Sequence, residues 1–189
     1  RVVLDTRLLN KQLPTINETL PLIADIFQAT SGCKVFSTID LKSAFSQFPL
    51  NPEDQVKTSF TAPGNLKYMY VGSPFGVSTI SQLFSRVMLT LFKDLSFVRC
   101  FVDDICIMSR SMEAHFQHVK QVLIILTNAN LKINFEKSHF AKSEVYLLGF
   151  SISEKGRRID TRKITNIHDW PRPTTSKQCQ SFLGFVNYF

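Results

Sequence analysis

The stretch "RCFVDDICIMS", residues 99–109, sets two apolar runs of strand-forming residues on either side of Asp103 and Asp104. Short runs of this kind, joined by two turn-forming residues, predict a β-hairpin with the acids at its tip. Aspartate suits a turn because its side chain hydrogen-bonds its own backbone and tolerates unusual dihedrals. Taken alone, the pair is a turn and nothing more. If the turn has two residues, alternation along the strands sends Cys100 and Cys106 to opposite faces of the hairpin, so they neither bridge nor share a zinc ion.

Working outward, "KVFSTID" (34–40) reads as a buried strand that ends on an acid, Asp40, and "KSAFSQF" as one or two helical turns. The opening "RVVLD" is strand-like and is followed by a proline-broken connector and a short helix at about 21–29. Pro63-Gly64-Asn65 is turn chemistry between "VKTSFTA" and "LKYMYV". Apolar residues at 80, 83, 84, 87, 88, 91 and 92 predict an amphipathic helix over 78–95. A second long helix runs from Ser111 to about Ala129, with Phe116, Val119, Val122, Leu123 and Leu126 as its buried stripe. His115 and His118 are then surface histidines. "LKINF" and "VYLLGFSIS" read as strands with "EKGRR" as the turn after the second, and the tail holds two helical pieces separated by Pro171 and Pro173. The alternation is that of an α+β fold with the hairpin in the central sheet.

Composition sets limits on function. A chain of 189 residues that is 44% hydrophobic and 20% charged is globular. Its net charge is +7, and +5 of that falls between Lys137 and Lys177, a basic stripe that suits a polyanion or simply a solvated surface. Four cysteines without paired spacing suggest a reduced, intracellular protein. No apolar run reaches the length of a membrane span, so no membrane partner is expected. The chain opens on Arg1 and ends within a helical pattern, and is expected to be a piece of something larger.

Asp40 and the Asp103/Asp104 pair each close a hydrophobic strand. If those strands are neighbours, the three carboxylates converge, and a divalent cation is the usual relief of their repulsion. Oxygen-only ligands favour Mg²⁺ or Mn²⁺ over zinc. Two such ions roughly 4 Å apart serve in-line phosphoryl transfer.

Six blocks in order, "KVFSTIDLKSAF" (34–45), "SPFGVSTISQLFSRVM" (73–88), "FVDD" (101–104), "LKINFEKSHF" (131–140), "VYLLG" (145–149) and "WPRPTTSKQCQSFLGFVNY" (170–188), resemble a reverse transcriptase. The nearest likeness is to the polymerase of gypsy-type LTR retrotransposons, and it spans nearly the whole chain. It implies a polymerase palm, a central antiparallel sheet backed by helices, with part of the fingers and the start of the thumb. On that division residues 1–33 and about 51–75 are fingers-like, 34–50 and 76–155 are palm, and 156–189 are the primer-grip exit and the start of the thumb. The implied cofactor is Mg²⁺ as two ions, with Mn²⁺ able to substitute. The implied partners are an RNA or DNA template with its primer, dNTPs, and the RNase H, integrase and protease domains of a pol polyprotein. The implied location is cytoplasmic, in virus-like particles.

Residue by residue, the resemblance implies that Asp40, Asp103 and Asp104 are catalytic metal ligands, with the backbone carbonyl of Leu41 a further ligand. Lys137 matches a lysine that protonates departing pyrophosphate. Phe45 matches a steric gate, a ring that leaves no room for a 2′-hydroxyl. Phe75 and Gly76 match the block that supports the templating base and the nucleotide pocket, and Arg1 an arginine that grips the triphosphate. Leu148 and Gly149 match a primer-grip hairpin. Phe101 lies beside the primer end, and Arg157 and Arg158 lie along the exiting duplex. The chain departs from the family pattern at three places: Phe101 stands for a usual Tyr, Ser78-Thr79-Ile80-Ser81 for a usual Asn-Ala-Pro segment, and Ser138 for a common Cys. Two other readings stay open: a catalytically inactive nucleic-acid-binding remnant, and an RNA-dependent RNA polymerase, against which Phe45 argues.

Overall fold

The computed structural model describes residues 3–14, 16, 23–161 and 170–188. In chain order the elements are helices α1 (Arg7–Asn10) and α2 (Ile23–Ala29), strand β1 (Val35–Leu41), helix α3 (Pro52–Gln55), and strands β2 (Phe60–Ala62) and β3 (Leu66–Tyr68). There follow helix α4 (Ile80–Phe92), strands β4 (Val98–Phe101) and β5 (Asp104–Ser109), and helix α5 (Met112–Asn128). Strands β6 (Ile133–Lys142), β7 (Glu144–Leu147), β8 (Phe150–Ser153) and β9 (Gly156–Ile159) and helix α6 (Ser176–Val186) complete the chain.

An antiparallel sheet in the order β4-β5-β1-β6 forms the centre. The inner strands β1 and β5 are buried on both faces, which is why they read as nearly continuous apolar runs, whereas the edge strand β6 is largely exposed. On one face Phe84, Met88 and Phe92 of α4 and Val122 and Leu126 of α5 close over Ile39, Leu41, Cys100, Ile105 and Ile107. On the other, Phe36, Cys106 and Met108 meet Ile26 and Phe27 of α2 and the inner residues of the β7-β8-β9 sheet, Val145, Leu147, Phe150 and Ile152. Cys100 and Cys106 therefore belong to different cores, as alternation required, and desolvation first of all pushes both thiols up to about 12. Helix α5 is capped by Ser111, whose side chain accepts the Ala114 N–H. Helix α6 starts with a capping box formed by Thr175 and Gln178.

Several expectations need correction. Helix α5 turns inward four of the five expected stripe residues, Val119, Val122, Leu123 and Leu126, but Phe116 is 68% exposed, while His115, expected at the surface, is 1% exposed and lies in the core. Hydrogen bonds to buried serines make the histidine the better inward residue. "VYLLGFSIS" is two strands rather than one, because Leu148 and Gly149 both adopt positive φ (51° and 79°), the two-residue turn that matches strand twist. "EKGRR" is only partly a turn, since Arg157 and Arg158 lie within β9. No strand forms over the described residues of "RVVLD", which lead into α1 instead. The first helical piece of the tail lies largely outside the described residues. No described helix is long and apolar enough to cross a membrane.

Candidate functional site

The β4–β5 ladder ends with Phe101 opposite Asp104, so the two-residue turn is Val102-Asp103, one position earlier than the acid pair suggested. Val102 has φ 54°, at the turn position that hairpins of this kind normally give to glycine. A β-branched residue there carries strain of about 1–3 kcal/mol. The shift returns Asp104 to the ladder, where its partner on the next strand is Asp40. Asp40 in turn pairs with Asn134 of β6. One row thus crosses all four strands, Phe101–Asp104–Asp40–Asn134, with side chains on the face away from α4 and α5.

Three carboxylates gather at this end of the sheet. Asp103 and Asp104 are exposed and Asp40 is half-buried. None of them forms an ion pair among the described residues. Although open to solvent on one side, Asp104 is flanked closely enough by protein that desolvation raises its pKa, with the charges of Asp103 and Asp40 adding to the effect. Among the described residues no three His, Cys, Asp or Glu side chains form a group placed to hold a metal ion. The donor set nonetheless fits a hard cation: carboxylate oxygens only, with no cationic side chain paired to them among the described residues.

Asp40 is held from behind. Its N–H donates to Ser138 Oγ (3.1 Å), and the Ser138 hydroxyl donates to the Asn134 carbonyl (2.7 Å). This bond spans a bulge in which six residues of β6, from His139 to Asn134, run opposite three of β1, from Thr38 to Asp40. Lys137 lies in that bulge and is exposed. Leu41, buried, ends β1 beside Ile133. The chain then turns at Ser43 into a 3-10 segment, Ala44–Gln47, which carries Phe45. Gln47 fixes this turn: Nε2 donates to the Lys42 carbonyl (2.7 Å), and Oε1 accepts the Lys132 N–H (2.6 Å).

Phe45 is half-buried and meets Phe75 and Phe84 edge-to-face, both at 5.5 Å between ring centres. Phe75 is brought there by a short bridge between Pro49 and Gly72, with Leu50 N–H donating to Val71 (2.9 Å) and Ser73 N–H to Phe48 (2.9 Å). The structure thus gathers Asp40, Asp103 and Asp104 in one place and Phe45 with Phe75 in another, linked through the short stretch from Leu41 to Phe45. Leu148 and Gly149 form the β7–β8 turn, where the Leu148 carbonyl accepts the Tyr188 hydroxyl (3.0 Å). Arg157 and Arg158 point to opposite faces of β9, and the Arg157 guanidinium lies over the Phe27 ring, 5.0 Å from its centre. Arg1 lies outside the described residues.

The sequence reading missed Asn134, Gln47 and Gly72. Gly72 had a local signal in Gly72-Ser73-Pro74, since a side chain there would meet the Ser46 carbonyl at 2.1 Å. The other two make contacts across 85 residues or more and leave no local trace.

Residues 1–152 match the profile of the family described as reverse transcriptase (RNA-dependent DNA polymerase). The transposon Tf2-3 polyprotein of Schizosaccharomyces pombe is 37% identical over 190 residues, covering 100% of this chain and 14% of that protein. The retrovirus-related Pol polyprotein from transposon gypsy of Drosophila melanogaster is 34% identical, over 100% of this chain and 18% of its own length. Among solved structures, the foamy viral protease-reverse transcriptase in complex with double-stranded DNA superposes with a TM-score of 0.91 at 31% identity, covering 100% of this chain and 33% of that one. The chain therefore spans a minor part of each relative.

Proposed function

The chain belongs to the reverse transcriptase family, and from that premise we propose that it is the palm-centred part of an RNA-directed DNA polymerase that adds dNTPs to a primer 3′ end. The observation that carries this reading is the register that sets Asp104 against Asp40, with Asp103 in the adjoining turn. Asp40, Asp103, Asp104 and the Leu41 carbonyl would hold Mg²⁺, as two ions, with Mn²⁺ able to substitute. Bound there, the ions would activate the attacking oxygen and neutralise charge on the leaving phosphates.

The remaining work falls to the chain's own residues. The β4–β5–β1 ladder holds the acids on a rigid sheet, and Ser138 fixes the backbone of Asp40. Phe45, buttressed by Phe84, serves as the ring beneath the incoming sugar and rejects a 2′-hydroxyl by collision. Phe75 and Gly76 support the nucleotide pocket, and Arg1 binds the triphosphate. Lys137, free to swing from its exposed bulge, delivers a proton to pyrophosphate. Phe101, Leu148 and Gly149 face the primer end, with Arg157 and Arg158 along the duplex. Residues 1–33 and about 51–75 act as fingers, 34–50 and 76–155 as palm, and 156–189 as the way into the thumb. The polyprotein nature of the relatives supports a polyprotein context; we extend this to RNase H, integrase and protease neighbours and to a place in cytoplasmic virus-like particles.

The test is dTTP incorporation on oligo(dT)-primed poly(rA) with Mg²⁺ or Mn²⁺, by the full polymerase that contains this chain, beside Asp103→Asn. Incorporation by the parent and a loss of about 10³-fold or more in the variant is expected, since a misheld ion forfeits several kcal/mol of charge stabilisation at 1.36 kcal/mol per tenfold. Folded parent protein that binds primer-template and incorporates nothing would overturn the reading in favour of an inactive remnant.

A further inference from the structure

The N-terminal segment is clamped to the loop that follows Phe75. Thr6, buried beneath that loop, donates its hydroxyl proton to the Gly76 carbonyl (2.7 Å). Asn10, at the end of α1, donates Nδ2 to the same carbonyl (2.8 Å), while its Oδ1 accepts the Ser78 N–H (2.9 Å). Gly76 adopts φ +98°, and a Cβ there would stand 2.8 Å from Thr6 Oγ1, so the fit of loop to clamp is close.

Two fastenings therefore bracket Phe75. Before it, the segment around Gly72 is bonded to residues 48–50, which adjoin the turn carrying Phe45. After it, residues 76–78 are bonded to α1, which belongs to a different part of the chain. The Phe75 ring rests edge-on against Phe45 between the two. Releasing the second fastening removes one restraint from the Phe75 side of the Phe45 ring, while the Phe84 side stays fixed in the core.

We infer that Thr6 and Asn10 are positioning residues for sugar selection, holding Phe75 against the gate ring so that the N-terminal segment tunes discrimination between deoxy- and ribonucleotides. The inference rests on Phe45 acting as the gate. It distinguishes these two residues from a simple attachment of α1, which would change the amount of folded enzyme but not its choice of sugar.

The experiment is steady-state incorporation of dTTP and UTP by the full polymerase containing this chain, in parent, Asn10→Ala, Thr6→Val, Thr6→Ser and Phe45→Ala forms. Loss of the paired hydrogen bonds at Asn10 is expected to raise KM for dTTP and lower the dTTP/UTP preference by about tenfold, with kcat changed by no more than about twofold. Thr6→Val is expected to move the same way, and Thr6→Ser, which keeps the hydroxyl, to match the parent. Should Asn10→Ala not fold, Asn10→Asp keeps the acceptor for Ser78 and sets an oxygen against the Gly76 carbonyl, and the same loss of preference is expected. A fall in kcat at unchanged preference in Asn10 and Thr6 variants, while Phe45→Ala relaxes preference, overturns the clamp inference alone. An unchanged preference in Phe45→Ala overturns the gate reading itself.

Discussion

Replacing Ser37 with alanine breaks a buried polar chain that links the central sheet to α5. Ser37 Oγ lies 2.6 Å from His115 Nε2 and accepts the Ala141 N–H (3.0 Å). His115 Nδ1 lies 2.8 Å from Ser109 Oγ, which is also 2.8 Å from His118 Nδ1. The His118 ring is stacked on Phe97, 3.6 Å between centres. Each serine has one proton, and this assigns every bond a direction. Ser37 donates to His115 Nε2, His115 Nδ1–H donates to Ser109, and Ser109 donates to His118 Nδ1. The reverse order strands the Ser37 proton. Both histidines must then be neutral, in keeping with pKa values lowered chiefly by burial.

Ser37→Ala leaves His115 Nε2 without its donor in the core, a loss of about 1–3 kcal/mol. The Ala141 N–H, near the surface, recovers water and adds little. A drop of about 2 kcal/mol is expected, read as a shift of the urea midpoint at constant slope. The parent's stability should also depend on pH in a fixed direction. Unfolded histidines take up protons near pH 6.5 and the folded ones resist, so the unfolded state binds more protons there. Their contribution is present above about pH 6.5 and is lost as pH falls below it. Asp104, with its raised pKa, works in the opposite sense, its contribution being lost as pH rises through its folded value. Comparing the parent with a His115→Phe/His118→Phe protein cancels that part. A Ser37→Ala change below about 0.5 kcal/mol, or histidine-dependent stability that is flat from pH 7 to 5.5, would refute the directed chain.

Two further outcomes follow from close contacts at the site. Gly72→Ala drives a methyl group into the Ser46 carbonyl and should cost about 1–3 kcal/mol or more by urea unfolding, while displacing Phe75 from Phe45. Asp104→Asn removes a carboxylate that is partly desolvated and repelled by Asp103 and Asp40, so in EDTA it should raise Tm. The same variant should shrink the Tm gain from added Mg²⁺, and a fall of Tm in EDTA would show that Asp104 is not under repulsion.

What could be read from the sequence was what is local. The periodicity of 80–92 and 112–128 announced α4 and α5, and the runs around the acids announced β4 and β5, because a face that must be buried imprints its period on the chain. The exchange of Phe116 for His115 on the inner face of α5 escaped, since Phe116 looks a better core residue until Ser37 and Ser109 are known to wait for the imidazole. The clamp of Thr6 and Asn10 on Gly76 escaped for the same reason: a side chain bonded to backbone some 70 residues away leaves no pattern nearby.

The one-residue displacement of the hairpin tip has the largest chemical consequence. Had the turn been Asp103-Asp104, both acids would have left the ladder together and been near-equivalent in solvent. With Val102-Asp103 as the turn, Asp104 stays in the ladder opposite Asp40 while Asp103 rides the tip. Two acids adjacent in sequence thereby acquire unequal surroundings, and it is Asp104 whose pKa desolvation and its neighbours raise. The cost is a valine at positive φ. A glycine would remove that strain and also loosen the turn, so a valine here is compatible with a tip whose task is to hold Asp103 still.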